Sequence, residues 1–184
     1  MENRKPSLQE FYHQEAVPQM MKTFGYRNRL AVPRLRKIIV NMGVGKGAED
    51  IKVVETAQNE LTQITGQKAV ITRAKKAISN FKIKQGSPVG CRVTLRRRRM
   101  YEFLERLVRI ALPRVRDFRG LNSRGFDGGG NYTFGIQEQN IFPEIETDRL
   151  TRAQGMDVTL VIGSGSKEAS YELLRLLGVP FRGK

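Results

Sequence analysis

Arg92, Thr94 and Arg96 alternate with Val89, Cys91, Val93 and Leu95, a spacing that puts cations and a hydroxyl on one side of a strand and apolar residues on the other. Lys37 and Asn41 stand in the same relation to Ile38, Val40, Met42 and Val44. Such a face offers charge to phosphates and short hydrogen-bonding groups to 2′-hydroxyls and base edges, which is the chemistry of RNA contact rather than of catalysis. The plainer alternative is a solvated sheet face. Charge favours the polyanion: the chain carries a net +15, and residues 61–101 contain no Asp or Glu but eleven cations, among them Lys68, Arg73, Lys75, Lys76, Lys82, Lys84 and the run from Arg96 to Arg99. A protein that neutralises several phosphates releases their condensed counterions, so a dense field of one sign selects nucleic acid. No helix pattern suits a DNA major groove and no aromatic strand motif of an RRM occurs, so structured RNA is the expected ligand.

Other chemistry finds little support. Gly43-Val-Gly45-Lys-Gly47 lies between a strand and a helix, but a dinucleotide fingerprint needs glycine where Ala48 stands and an acid where Thr72 and Arg73 stand. It reads as a flexible strand-to-helix turn. Cys91 falls on the apolar set of its strand and behaves as a small buried hydrophobe. With one cysteine and one histidine, His13, there is neither a disulfide nor a Cys/His zinc set, and His13 has no nucleophile beside it. Glu144, Glu146 and Asp148 alternate after Pro143, which suits a solvated connection or a contact with a basic protein as well as a metal. No cofactor, no metal and no enzymatic activity are expected.

The elements that must hold the polar face follow from hydrophobic period. Leu8, Phe11, Tyr12, Met20, Met21 and Phe24 give a leading helix kinked by Pro18 and ended by Gly25. A strand covers residues 35–44, a helix 51–66 closed by Gly66, and short strands 68–72 and 89–96. Between those two strands, residues 73–87 form a projecting basic loop with one helical turn around Ala77, in which Phe81 can stack on a partner or anchor the base, the second being expected. A helix through Met100, Phe103, Leu104, Leu107 and Ile110 follows, supported by Glu102 with Arg106 and Glu105 with Arg109, and stopped by Pro113. Residues 118–131 hold five glycines and no period, the mark of a mobile functional loop. Strands at Tyr132, Phe134 and Ile136 and at Val158, Leu160 and Ile162 precede a last helix capped by Ser166 and closed by Gly178. The order predicts an α+β fold: one domain over residues 1–184 with projecting loops at about 73–87 and 114–131, a largely antiparallel sheet of the split β-α-β kind, helices on one face and the polar face free.

Several separated motifs, Ile39-Val-Asn-Met-Gly-Val-Gly45, Thr72-Arg-Ala-Lys-Lys76 with Phe81-Lys-Ile-Lys, Asp117-Phe-Arg-Gly-Leu121, Phe126-Asp-Gly-Gly-Gly-Asn-Tyr132 and Ile141-Phe-Pro-Glu-Ile145, resemble the L-five family of ribosomal proteins of the bacterial large subunit. The resemblance implies a protein that binds 5S rRNA and large-subunit rRNA at the central protuberance beside neighbouring proteins, touches the P-site tRNA, and meets small-subunit head protein thirteen in an inter-subunit bridge. It implies 5S rRNA contact at Asn41, Gln67 and Thr94, to which the polar face adds Lys37, Arg92 and Arg96. It makes the loop with Arg73, Lys75, Lys76, Ser79, Asn80, Lys82 and Lys84 the arm that reaches tRNA. It turns Arg114, Arg116, Asp117, Glu144, Glu146 and Asp148 toward the small subunit. Many members carry Arg where this chain has Gly129, and residues 163–167 depart from the usual Thr-rich approach to the last helix. With no apolar leader after Met1 and no stretch of membrane-spanning length, a cytoplasmic place on the ribosome is expected. A nucleotide-dependent enzyme and a non-specific DNA binder are the competing classes.

Overall fold

A computed structural model describes residues 7–48, 50–145, 153–163 and 165–182. The elements are α1 (Ser7–Phe11), α2 (Val17–Phe24), β1 (Arg34–Gly43), α3 (Ile51–Thr65), β2 (Val70–Arg73), β3 (Pro88–Leu95), α4 (Arg97–Arg106), β4 (Tyr132–Ile136), β5 (Met156–Gly163) and α5 (Lys167–Leu176). The strands form one open antiparallel sheet in the order β2-β3-β1-β5-β4, so the α+β class expected from the periodicities is the class observed. By contacts the chain divides into two compact units. The first comprises residues 1–38, 96–134 and 159–184, and the second residues 39–95 and 135–158.

In the first unit the leading helix is two helices joined by a π-turn, Tyr12–Ala16. Pro18 lies in the first turn of α2, where its missing N–H removes no bond the helix needs, and Val17 donates back to the carbonyl of Tyr12. Gly25, at φ 70°, ends α2 in the left-handed region. Met20, Leu104, Leu173 and Leu174 are fully buried and bring α2, α4 and α5 into this unit's core. Each such side chain contributes about 1.5–3 kcal/mol by leaving water. Glu105 pairs with Arg109 at 2.7 Å as the spacing predicts, and Glu102 pairs with Arg98, one turn earlier on the same face, also at 2.7 Å. The chain enters α4 through Arg97 at φ 52°, a left-handed conformation that costs a side chain with a Cβ roughly 1–2 kcal/mol.

The glycine-rich segment of this unit is built rather than loose. Asp127 accepts the backbone N–H of Gly129 at 2.9 Å and of Asn131 at 2.8 Å, and its second oxygen accepts the Asn131 side chain. These bonds hold the Asp127 carboxyl below the usual carboxylate range, with the Asn131 amide the largest cause. Leu121 donates to the Pro180 carbonyl at 2.8 Å and accepts from Arg182 at 2.9 Å. Gly120, at φ 94°, passes so close to the Arg182 backbone that a Cβ there would sit 2.6 Å from its nitrogen. Phe126 and Tyr132 are buried, their rings 4.6 Å apart, and the Tyr132 hydroxyl donates to the Asn122 carbonyl. The expected mobile loop is thus a packed turn, because its aromatic residues supply the core that its glycines lack.

In the second unit α3 lies against β3, with Val54, Leu61 and Ile64 buried, Asp50 capping the Lys52 N–H and Gly66 ending the helix at φ 64°. The glycine turn before α3 is also tighter than expected. A Cβ on Gly47 would collide with the Val54 side chain, so glycine is required there for packing and the turn is not merely flexible. Gln139, fully buried, accepts the backbone N–H of Gln154 at 2.5 Å and donates to the Glu60 carboxylate at 3.2 Å. Gln154 in turn donates to the Gly43 carbonyl. Burial pushes the Glu60 carboxyl upward, and the hydrogen bond from Gln139 opposes that shift.

Candidate nucleic-acid interface

The polar face is positioned in the second unit by strand register. Val70 lies opposite Arg92 and Thr72 opposite Gly90 across the antiparallel β2–β3 pair, so Arg92 and Thr94 point to the same side as Val70 and Thr72. Cys91, Val93 and Leu95 are buried on the other side, which confirms the inward set apart from Val89, only half-buried. Asn41 projects between fully buried Val40 and Met42 of β1. A Cβ on Gly90 would strike the Met42 carbonyl and come within 3.3 Å of the Thr72 hydroxyl, so a glycine here keeps the neighbouring backbone and hydroxyl in place. The Gln67 side-chain amide donates to the Thr94 carbonyl at 3.1 Å, which fixes Gln67 beside the end of β3. Asn41, Gln67, Arg92 and Thr94 therefore belong to one unit. Lys37 of β1, half-buried, and Arg96, exposed just after β3, fall in the first unit.

One further side chain of this face escapes a charge count. Val70, two residues after exposed Lys68, is 62% exposed, an apolar patch among polar neighbours. The signal lies in the sequence, since residues 68, 70 and 72 share the period-two face of Thr72. Cys91 behaves as expected: burial, with the nearby Glu60 charge adding, pushes its thiol up to about 11, which leaves it protonated and unreactive at neutral pH.

The segment between β2 and β3 is an arm with its own ladder. Ala74 donates to Ser87 and accepts from Gly86, Ile78 and Ile83 exchange two backbone bonds, and Arg73 donates to the Gly86 carbonyl at 2.9 Å. Arg73 thus braces the base. A 3₁₀ turn, Ser79–Phe81, followed by Lys82 at φ 53°, closes the tip, two residues beyond the turn expected around Ala77. Lys75, Lys76, Lys82 and Lys84 are exposed along it, with Ser79 and Asn80 at the tip. Phe81 is 73% exposed and Ile78 47%, so Phe81 does not anchor the base as expected. The bridge between Ile78 and Ile83 closes the ladder without it, and the ring is left facing solvent beside the lysines.

Arg114, Arg116 and Asp117 are exposed in the first unit, Asp117 at φ 52°. Glu144 is half-buried in the second unit, while Glu146 and Asp148 lie outside the described residues. Among the described residues no group of three or more His, Cys, Asp or Glu side chains could hold a metal ion, and no helix is long and apolar enough to cross a membrane.

Family models describe the same span. Residues 28–84 match the model for ribosomal protein L5, and residues 88–181 match the model for the C-terminus of the same ribosomal protein family. The chain belongs to the ribosomal protein L5 family. Members of this family are structural ribosomal proteins and not enzymes, so the glycine turn before α3 serves the fold. The chain is 56% identical to the large ribosomal subunit protein uL5 of Clostridium beijerinckii over 174 residues, covering 95% of this chain and 97% of the relative. It is 53% identical to the uL5 proteins of Geobacter sulfurreducens and Chlorobaculum tepidum, over 95% and 96% of this chain and 98% and 97% of theirs. In this L5 family member the two matched segments adjoin at the foot of the basic arm.

Proposed function

We propose that this L5 family member is a constituent of the large subunit of the cytoplasmic ribosome, where its sheet face binds 5S rRNA and helps to attach it at the central protuberance. The observation that carries this reading is the presence of Asn41, Gln67, Arg92 and Thr94 on one unit, two of them amides and one a hydroxyl, with one exposed cation whose position strand register sets. Phosphate contacts give such a site affinity, and the amides and the hydroxyl suit 2′-hydroxyls and base edges. Lys37 and Arg96 add phosphate contacts. The arm carrying Lys75, Lys76, Lys82 and Lys84 reaches the P-site tRNA, with Phe81 offered to its nucleotides. Arg114, Arg116, Asp117, Glu144, Glu146 and Asp148 face the small subunit's head protein thirteen, and large-subunit rRNA and neighbouring central-protuberance proteins complete the surroundings.

The deciding experiment is a titration of the purified chain against 5S rRNA and a length-matched, unrelated structured RNA at two salt concentrations. A preference for 5S rRNA that persists at the higher salt is expected. Equal affinities that fall together would reduce the sheet face to a general polyanion binder. With about eight phosphates contacted, log K should fall against log salt with a slope of roughly −6 to −7, and Arg92→Ala with Arg96→Ala should flatten it. Replacing Lys75 and Lys76 should leave 5S rRNA affinity intact and weaken tRNA on assembled ribosomes.

A further inference from the structure

Residues 16–48 form a second stretch without Asp or Glu, carrying Lys22, Arg27, Arg29, Arg34, Arg36, Lys37 and Lys46. The stretch 61–101 has eleven cations, so the two together hold +18 and the remaining 110 residues sum to −3. The excess positive charge therefore has two seats. Within the second one, the connection from α2 to β1 exposes Arg27 and Arg29, flanked by exposed Lys22 in α2 and Arg34 at the start of β1, and at its tip Leu30 is 85% exposed, the most exposed large apolar side chain among the described residues.

That exposure is built by the backbone. The Asn28 side chain accepts the Leu30 N–H at 2.8 Å, Ala31 donates to the Asn28 carbonyl at 3.0 Å, and together they form a capped 3₁₀ turn, Arg29–Ala31. The Arg29 guanidinium donates to the His13 carbonyl at 3.0 Å and ties the turn to the π-turn of the leading helices. Val32 and Pro33 behind it are buried, and the Tyr12 hydroxyl donates to the Pro33 carbonyl. Phe24 and Tyr26 stand with ring centres 6.0 Å apart at the head of the connection. An apolar residue held outward on a pinned turn among cations is arranged for a partner that has both negative charge and an apolar surface.

We propose that the turn carrying Leu30 is a second RNA-contact site, which takes a segment with an unstacked nucleotide: Lys22, Arg27 and Arg34 meet flanking phosphates while Leu30 covers the base or sugar. The inference rests on the reading of this chain as an RNA-binding ribosomal protein, and adds to it a site in the first unit. RNA fits better than a protein partner. Phosphate contacts are local and each one releases counterions, whereas a stable protein interface needs about 800 Å² from each side, more than one short turn provides. Unpaired nucleotides also expose faces that apolar side chains can cover, which paired RNA does not.

The test uses the full chain. Position 30 is replaced by photoreactive p-benzoylphenylalanine, ribosomes containing the protein are irradiated, and the crosslinked partner is identified. In parallel, preformed complexes of 5S rRNA with the native chain or the Leu30→Ser variant are titrated with protein-free large-subunit rRNA. A crosslink to RNA is expected, and Leu30→Ser should weaken the second RNA about tenfold, the effect of exposing one leucine, with 5S rRNA affinity unchanged. A crosslink to a ribosomal protein, no crosslink in ribosomes that contain the labelled chain, or unaltered binding by Leu30→Ser would each overturn the proposal. Absence of 5S rRNA binding by the native chain would instead defeat the sheet-face reading, while the crosslink from position 30 would still decide the turn.

Discussion

The arm between β2 and β3 and the glycine-rich segment before β4 look alike as sequence, since each is long, polar and without period, yet they are held in opposite ways. The arm is closed by backbone pairing between Ala74 and Ser87 and between Ile78 and Ile83, and its large side chains Ile78 and Phe81 face solvent. The glycine segment buries Phe126 and Tyr132 and organises its turn around one carboxylate, Asp127. A segment that builds its fold from backbone bonds leaves its side chains available to a partner. One that builds its fold from side chains has few left to offer. The arm is accordingly the better recognition element of the two, although glycine content points to the other.

The largest test of this contrast is stability. Phe126→Ala should cost about 3–5 kcal/mol in denaturant unfolding, because it empties a site packed against Tyr132, Tyr171 and Phe181. Phe81→Ala should cost less than about 0.5 kcal/mol, as an exposed position does, while weakening the tRNA contact proposed for the arm. Comparable losses in the two variants would break the comparison.

Smaller effects sharpen it. Arg97→Gly should raise stability by about 1 kcal/mol, since glycine adopts φ 52° without the Cβ penalty. No change in the unfolding midpoint would mean that contacts of Arg97 offset its backbone. Asp127→Ala should narrow the range of pH over which the fold is most stable. The folded carboxyl has the lower pKa, so its contribution is present above the unfolded carboxylate's pKa and fades as pH falls through the folded one. The native and variant stability curves should therefore differ at neutral pH and converge in acid, and parallel curves would remove the carboxylate from the account. Gly129→Arg should be nearly silent, within about 0.5 kcal/mol, because a Cβ there meets nothing closer than 3.4 Å.

How much of this is legible in the chain alone depends on the kind of signal. Periodicity locates every strand and the main helices, because Ile38, Val40 and Met42 or Cys91, Val93 and Leu95 must share a buried side whatever the partner. Charge locates the polar face and the arm. Hydrogen bonds between residues far apart in sequence leave no comparable trace: neither Gln67 with Thr94 nor Gln139 with Glu60 and Gln154 follows from spacing, as the fold alone brings them together. Phe81 misleads because an aromatic among lysines reads equally as anchor or as contact until the backbone ladder beneath it is known. The acid-free stretch around Leu30 is readable from charge alone, and only its exposure requires coordinates.

Cys91 has a practical consequence. It is the chain's single thiol, fully buried and with its pKa pushed up to about 11, so maleimide reagents at neutral pH should pass it over in the folded protein. A cysteine introduced at position 30 or 81 would then take a fluorophore or spin label alone, with no need for a cysteine-free background. The native thiol would keep a separate task, since the rate at which it becomes alkylated is a clock for the opening of the strand that carries Arg92 and Thr94.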